Sequence, residues 1–212
     1  TNAYTYAQQL ACKTQSAKNT GTVQLPHPRL GQTRLVSIYK KLGPDWAIPL
    51  DRRDLREFGV RHDDFAVLFK RSLTIDVSRL CLELLEKYQI QLSTQLEPLF
   101  DSELPLVVAT SHAPPFIERP KLETAFVKGQ VDFFKLPPHA ELNSTIVRNG
   151  YVTPALNSRV VAVGSTYERS PQAVTVSTIE NRDRLKNLFG YSNYRWHSRF
   201  RATRTVTSSS LS

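Results

Sequence analysis

Residues 145–163, TIVRNGYVTPALNSRVVAV, contain three short runs rich in β-branched and aromatic side chains, separated by residues typical of turns. Such side chains favour strands because they pack well on a pleated surface. The runs predict strands at Thr145–Arg148, Tyr151–Thr153 and Arg159–Val163, and Pro154–Ser158 joins the last two. Short connections between successive strands predict an antiparallel meander, around which the fold is built.

Further strands are predicted on the N-terminal side of this meander. Phe126–Phe134 reads as a strand in which Gly129 marks a bulge or a close backbone approach. Leu104–Thr110 is a continuous apolar run that ends at Ser111–Pro115, as expected of a buried strand leaving a sheet. Shorter strands are predicted at Thr22–Leu25 and Gln89–Leu92.

Helical periodicity is clearest at Asp76–Tyr88, where apolar residues recur at intervals of three and four. Asp76 is the expected N-cap, and Cys81 on the apolar stripe is expected to be a packed core thiol. A final helix is expected to begin near Ser177, which forms an S-x-x-E capping box with Glu180. It is expected to stop at Gly190, and a short helix is predicted at Leu50–Phe58.

Antiparallel strands with helices to one side predict an α+β fold with an antiparallel or mixed sheet and flanking helices. We expect residues 1–190 to form one domain and residues 191–212 to form a basic C-terminal segment. No methionine occurs among the 212 residues, so we expect them to be part of a longer protein.

Composition excludes several classes of protein. The 212 residues carry a net charge of +9, 40% are hydrophobic and 22% are charged, which is not typical of disordered, collagen-like or coiled-coil chains. No apolar stretch approaches the length of a membrane span, so no membrane association is expected. With two cysteines, Cys12 and Cys81, no disulfide framework is expected, which favours a cytoplasmic protein.

The spacing of glycine, histidine and cysteine excludes several local motifs. The eight glycines are at least ten positions apart, whereas a dinucleotide fingerprint, a P-loop and a nucleophile elbow need closely spaced glycines. The five histidines are too dispersed for a local metal motif, and no metal is expected.

The C-terminal segment is free of acidic residues after Asp183 and interleaves basic with aromatic residues. Such a stretch can hold a nucleic-acid backbone and stack a base, which makes Arg195, Arg199 and Arg204 candidate nucleic-acid contacts. A solvated, partly frayed chain end is the alternative interpretation, and the residues alone favour it.

Three motifs in order, Lys128-Gly-Gln-Val131, Asn149-Gly-Tyr-Val-Thr-Pro154 and Val161-Ala-Val-Gly-Ser-Thr-Tyr-Glu-Arg169, resemble the D-amino-acid-oxidase-like FAD-dependent oxidoreductases. Within that family, their spacing looks most like the oxidoreductase domain of the bifunctional enzymes that make 5-methylaminomethyl-2-thiouridine in bacterial tRNA. Val107–His112 is similar to the strand and loop that precede these motifs in the family. The resemblance covers roughly residues 60–204 on this motif-matching basis.

The resemblance implies a substrate-side domain whose antiparallel sheet faces the isoalloxazine ring of FAD. It implies oxidative removal of a carboxymethyl group from a modified wobble uridine in tRNA, with a methyltransferase domain in the same polypeptide. The glycine-rich unit that seats the ADP part of FAD in the family has no counterpart in these residues.

The resemblance also implies roles for individual residues. Tyr151 is expected to be catalytic and to contact substrate; a plain aromatic in a cross-strand pair is the alternative. Lys128 and Gln130 are expected to bind substrate, and Ser111 and Arg201 to contact the cofactor.

Two alternatives to the tRNA enzyme stay open. One is an FAD-dependent amine or amino-acid oxidase of the glycine or sarcosine oxidase type. The other is a non-catalytic nucleic-acid-binding remnant, which the missing glycine fingerprint favours.

Overall fold

The architecture comes from a computed structural model that describes residues 5, 8–9, 13–29, 31–61, 63–90, 124–156, 158–168, 174–189 and 193–207. The strands are β1 (Ala17–Asn19), β2 (Thr22–Gln24), β3 (Ala47–Asp51), β4 (Phe65–Phe69), β5 (Leu73–Ile75), β6 (Thr124–Lys135), β7 (Thr145–Val147), β8 (Tyr151–Pro154), β9 (Val160–Gly164) and β10 (Arg195–Thr207). The helices are α1 (Gly31–Leu42), α2 (Arg52–Glu57), α3 (Val77–Lys87) and α4 (Val174–Phe189).

Eight strands form one mixed sheet in the order β10-β6-β9-β8-β7-β2-β4-β3, and β1 pairs with β5 in a separate two-stranded sheet. Every neighbouring pair in the large sheet is antiparallel except β2 with β7, which is parallel. The expected α+β class with a mixed sheet and flanking helices is confirmed. No helix among the described residues combines the length and the apolar character that crossing a membrane requires.

The two faces of the large sheet differ because successive side chains on a strand point to opposite sides. One side, here called the covered face, packs against α4 and α2 and holds the main core. Phe134, Val152 and Val163 lie there against Leu185 and Phe189, all fully buried. Among the described residues, α1 alone covers the other side, here called the open face, and only at its β3–β4 end, where a smaller apolar cluster forms.

The predicted meander is confirmed, as β7, β8 and β9 pair antiparallel in succession. The helix at 77–87 begins after Asp76, whose carboxylate accepts a hydrogen bond from the Arg79 amide at 3.1 Å. The C-terminal segment is not frayed where the structure describes it, because β10 pairs with β6 along its length. The predicted strands at Leu104–Thr110 and, from residue 91 onward, Gln89–Leu92 lie outside the described residues; Gln89 and Ile90 are not in a strand.

The prediction that Cys81 is a packed core thiol is wrong. Cys81 is exposed, because Arg79 and Glu83 contact Gln15 and Ser16 and thereby turn the other side of α3 toward solvent. 

Ser177 does not cap the final helix. That helix begins earlier, at Val174, and the Ser177 hydroxyl is buried inside it, where it donates to the Glu168 carboxylate. Glu180 does not close a capping box and pairs with Arg184 one turn along the helix.

A pair of glycines offers a test of packing beneath the covered face. Gly59 and Gly43 share nearly the same left-handed backbone, with φ of +77° and +76°. A Cβ at Gly59 would meet the buried Phe189 ring at 2.5 Å, whereas a Cβ at Gly43 would meet nothing within 4 Å. We expect Gly59→Ala to destabilise the protein by about 1–2 kcal/mol more than Gly43→Ala, the cost of overpacking a filled core. Denaturant unfolding of both variants measures the difference, and equal losses would contradict it.

Candidate functional site

One row of side chains crosses the centre of the open face at the level of Tyr151. Tyr151 lies opposite Val147 on one neighbouring strand and opposite Gly164 on the other. Gln24 lies opposite Val147 at one end, and Val131 contacts the Gly164 position at the other. These side chains are half-buried, so the row forms a shallow floor rather than a closed core.

Gly164 allows the Tyr151 ring to lie across strand β9. A Cβ on Gly164 would come within 2.9 Å of Tyr151 Oη and 3.1 Å of its Cζ. Burial raises the pKa of the Tyr151 phenol, the nearby Tyr167 phenol raises it further, and Arg184 opposes both in part. The phenol is therefore protonated at neutral pH and can donate a hydrogen bond; it is not a base there.

On the open face, Tyr167 is close enough to Tyr151 to raise the pKa of its phenol, and Arg204 stacks on Tyr167. The Arg204 Cζ lies 5.1 Å from the centre of the Tyr167 ring, a cation–π distance. Arg204 pairs in register with Val127, and alternation along β10 places it on the same face as Phe200 and opposite to Arg201. Tyr151, Tyr167 and Arg204, here called the tyrosine–arginine cluster, join an aromatic wall, a phenolic donor and a guanidinium.

The sequence did not identify this cluster as a site. Tyr167 lies within the third motif of the resemblance, which implies no role for it, and the basic pattern of the C-terminal segment predicts a nucleic-acid contact for Arg204. The pairing of β6 with β10 brings Arg204 beside Val127. Local sequence patterns do not show this pairing, so they could not identify the cluster.

Behind the cluster, on the covered face, Glu168 forms a buried ion pair with Arg201. The Glu168 side chain is 1% exposed and that of Arg201 is 25% exposed. Ser177 and Thr166 also donate to the same carboxylate, Thr166 at 3.1 Å. Burial opposes ionisation of Glu168, but these hydrogen bonds and the Arg201 charge together lower its pKa below the ordinary value. The segment that carries Tyr167 is thereby tied to α4 and β10.

A second buried polar group adjoins this pair. The Gln130 amide nitrogen donates to Asp132 and to Thr178, both at 2.8 Å. Asp132 also accepts from Asn181 at 2.8 Å and from the Trp196 indole at 3.2 Å. Gln130 is fully buried among these groups, so its side chain does not reach the open face.

The remaining predicted residues are dispersed. Lys128 is exposed, and its backbone pairs with that of Glu168. Arg195 and Arg199 are exposed on β10; Arg199 lies 5.8 Å from the Trp196 ring and, unlike Arg204, is on the covered-face side. Arg195, Arg199 and Arg204 therefore do not form one surface. Ser111 lies outside the described residues.

The open face suits the ring of a flat cofactor better than its phosphates. The Tyr151 ring and Val131 form a low floor over the buried Gly164, and a Cβ at Gly164 would lift the ring. The glycines are at least ten positions apart, so the sequence holds no glycine-rich turn of the kind that cradles a pyrophosphate. Among the described residues, no three His, Cys, Asp or Glu side chains come together as a metal site.

No protein-family model and no curated protein matches the sequence. Solved structures do match: glycine oxidase from Geobacillus kaustophilus has a TM-score of 0.70 at 14% identity over 97% of this chain and 65% of its own. Iminodiacetate oxidase from Chelativorans sp. BNC1 gives 0.65 at 14% identity over 96% and 66%. FAD-bound L-alpha-glycerophosphate oxidase from Mycoplasma pneumoniae gives 0.65 at 12% identity over 91% and 63%.

The chain thus spans about 65% of the length of the first of these oxidases. Identities of 12–14% establish similarity of fold and leave substrate and chemistry to be argued from the site. The described residues share their fold with the corresponding parts of these three oxidases.

Proposed function

We propose that the full-length protein is an FAD-dependent oxidoreductase that oxidises the C–N bond of an amine carrying a carboxylate, as in the glycine oxidase type. The observation that carries the proposal is the tyrosine–arginine cluster, which lies on the open face of a fold shared with such oxidases. The names of two similar structures, glycine oxidase and iminodiacetate oxidase, support an amino-acid-like substrate.

Arg204 is the proposed partner of the substrate carboxylate. A guanidinium matches a carboxylate with two parallel hydrogen bonds, and stacking on Tyr167 restricts its orientation. Tyr151, protonated and half-buried, donates a hydrogen bond to the bound substrate and orients the C–N bond over the floor that its own ring and Val131 form.

FAD, when bound, supplies the acceptor for the hydride that leaves the carbon next to nitrogen. On the substrate, the C–H bond would break with its electron pair, the nitrogen lone pair would form the C=N bond, and the nitrogen would release one proton to solvent. Water then adds to the imine carbon and releases the amine and a carbonyl compound. The chain's own residues bind and orient the substrate in this scheme; none needs to act as a nucleophile.

Tyr151→Phe is expected to slow flavin reduction by substrate about two- to tenfold, because one hydrogen bond is lost from the reacting complex. FAD affinity is expected to change less. Anaerobic stopped-flow absorbance of the full-length, FAD-loaded protein measures the rate. Tyr194→Phe is the matched control, since that phenol lies on the covered face, 3.4 Å from the Arg182 carbonyl oxygen. Reduction of Tyr151→Phe at the wild-type rate would remove the role given to Tyr151.

A second candidate function is removal of the carboxymethyl group from the modified wobble uridine of tRNA. The net charge of +9 and the exposed Arg195 and Arg199 favour it, and its substrate presents the same N–CH2–carboxylate group to Arg204. This candidate includes a methyltransferase domain in the same polypeptide and a cytoplasmic location. A nucleic-acid-binding remnant without catalysis is the third candidate, favoured by the missing glycine fingerprint.

RNA binding separates these candidates. Arg195→Glu with Arg199→Glu is expected to weaken tRNA binding and to reduce the slope of log affinity against log salt by roughly one for each phosphate contact that is lost. Filter binding or fluorescence anisotropy across salt concentrations measures the slope. Lys40→Glu with Lys41→Glu, on α1, controls for net charge. An unchanged slope in the β10 variant speaks against tRNA, whereas RNA binding by a protein that takes up no FAD favours the remnant.

A further inference from the structure

Trp196 is a large aromatic side chain at the β10 edge of the covered face, where the residue is 47% exposed. Its indole N–H donates a hydrogen bond to Asp132 at 3.2 Å. Asp132 is fully buried, and its carboxylate is held in turn by Thr178 at 3.0 Å and Asn181 at 2.8 Å. A buried group therefore fixes the direction of an aromatic ring whose surface stays half open to solvent. The proposed amine oxidation takes place on the other face and does not use this ring.

A bulge in β10 places Arg199 on the same side of the sheet as Trp196. Trp196 lies opposite Phe134 and Arg199 lies opposite Asp132, and the register shifts at His197, between them. Phe134 and Asp132 are two positions apart on β6, so their partners share the covered face. Without the extra residue, alternation would put Trp196 and Arg199 on opposite faces. The Arg199 Cζ lies 5.8 Å from the centre of the Trp196 ring, a cation–π distance.

Two cavities share Tyr194 as a lining residue and are together called the Trp196 groove. The first has a volume of about 330 Å³, and its described lining residues are Phe134, Arg182, Tyr194 and Trp196. The second has a volume of about 550 Å³, and its lining includes Lys135 and Arg195. The Tyr194 ring meets the buried Phe134 ring edge to face, with the ring centres 5.3 Å apart. Both aromatic side chains of the groove that reach solvent are therefore held by buried neighbours.

The described lining of the Trp196 groove is positively charged. Arg182, Lys135 and Arg195 line it and are exposed, and no acidic side chain is among its described lining residues. Burial raises the pKa of the Tyr194 phenol, Arg182 lowers it and Asp183 raises it, so one acidic group does lie nearby. The three lining cations leave an excess of positive charge after Asp183 is counted.

A chain of nucleotides fits this combination of rings and cations. An unpaired base stacks on an aromatic ring, and a guanidinium binds a phosphate through charge-assisted hydrogen bonds. Stacking costs less entropy on a ring that is already held in place, as the Trp196 ring is by Asp132. A duplex keeps its bases inside the stack, so it offers the ring no free base. An acidic peptide would use the cations but would leave the aromatic rings without a flat partner.

We propose that the Trp196 groove binds single-stranded nucleic acid, with one base stacked on Trp196 and adjacent phosphates paired with Arg182 and Arg199. The groove lies on the covered-face side, so this inference goes beyond the proposed amine oxidation and does not depend on it. It gives the second candidate function a specific contact surface. Because β10 is the edge strand of the described sheet, a bound chain that passes around it reaches the open face.

The variant Trp196→Leu tests the stacking contact. The full-length protein is titrated into a fluorescein-labelled oligouridylate, which has little structure of its own, and anisotropy measures the Kd. We expect Trp196→Leu to bind roughly 5- to 100-fold more weakly than wild type, because one stacked base is lost. Trp46→Leu is the matched control, since Trp46 contacts Arg71 at 4.4 Å but lies beside β3, at the opposite end of the sheet. It is expected to bind like wild type.

Salt dependence separates stacking from charge. Trp196→Leu removes no charge, so the slope of log affinity against log salt is expected to stay as in wild type. Arg182→Gln with Arg199→Gln is expected to reduce that slope by roughly 0.7 for each phosphate contact that is lost. Both arginines are exposed, so this double variant keeps the test available if Trp196→Leu does not fold. An unchanged slope in the double variant overturns the inference by itself.

Binding by charge alone, or no binding, contradicts the inference. Wild-type affinity in Trp196→Leu, an equal loss in Trp46→Leu, or failure of wild type to bind the oligonucleotide would each overturn it. Poly-L-glutamate, a polyanion without bases, is expected to displace the oligonucleotide poorly. If it binds as tightly and Trp196→Leu affects neither ligand, the groove takes an acidic protein segment instead. Flavin reduction by amines is measured separately, so the proposed oxidase stands or falls independently.

Discussion

Replacing Glu168 with Gln is expected to lower the free energy of unfolding by about 3 kcal/mol. Removing one member of a buried ion pair is costly because the other charge stays partly desolvated. The estimate is at the lower end for such pairs because the Arg201 side chain keeps 25% of its surface in solvent. Gln at this position retains oxygen for Ser177 and Thr166 but turns N–H groups toward Arg201.

The matched control is Glu180→Gln. Glu180 also pairs with an arginine, Arg184, but its side chain is 45% exposed and the pair lies one turn apart on a helix. Solvent screens such pairs, so the expected loss is about 0.3–0.5 kcal/mol. Urea unfolding of both variants measures the contrast, and a loss at Glu168 as small as that at Glu180 would show that the buried pair contributes little.

The pH dependence of stability also tests the ion pair between Glu168 and Arg201. The pKa of Glu168 is below its ordinary value of 4.5 in the folded protein, so the unfolded chain binds a proton first as pH falls. The stabilisation by the carboxylate is therefore complete above about pH 4.5 and is lost as pH falls toward the folded pKa. The difference in stability between wild type and Glu168→Gln is expected to shrink over that acid range. A difference that stays constant there would contradict the lowered pKa.

Local sequence patterns predicted the β7–β9 meander at the centre of the sheet but missed helix α1 and the cause of the burial of Ser177. The β7–β9 meander follows from short runs of strand-forming residues joined by turns, which are local signals. Helix α1 was missed although its Leu35, Ile38 and Leu42 follow helical spacing; Leu35 is its one buried residue. Ser177 satisfies a capping pattern. Its hydroxyl nevertheless lies in the interior, because it donates a hydrogen bond to Glu168, which lies before the helix.

The candidate site depends on pairings that cross long stretches of sequence. Resemblance placed Tyr151 on the sheet, and the structure adds Tyr167 and Arg204 through the β6–β10 register and the turn after Gly164. Register of a strand decides which face each residue occupies, since a shift by one residue exchanges the faces. Alternation alone puts Arg201 and Arg204, three positions apart, on opposite faces, but the pairing with β6 decides which of them lies on the open face.

Arg204→Leu is expected to reduce kcat/KM for a carboxylate-bearing amine roughly 30- to 100-fold in the full-length, FAD-loaded protein, because a charge-assisted, two-pronged contact is lost. Most of the loss is expected in KM, since the carboxylate is bound alike before and during C–N oxidation. Arg204→Lys keeps the charge but not the planar fork, so it is expected to restore only part of the activity. Lys186→Leu removes a positive charge from an exposed position on α4 and serves as the control.

Comparing amines with and without the carboxylate separates recognition of that group from general damage to the open face. An amine that lacks the carboxylate has no group for Arg204 to bind, so the variant is expected to treat it like wild type. A similar loss for both amines would assign Arg204 to the support of Tyr167, whose ring it contacts at 5.1 Å, rather than to the substrate. Steady-state oxygen consumption with paired substrates of equal length measures the ratio. Retention of the wild-type ratio by Arg204→Leu would remove carboxylate binding from the tyrosine–arginine cluster, and with it the observation on which the proposed oxidase depends.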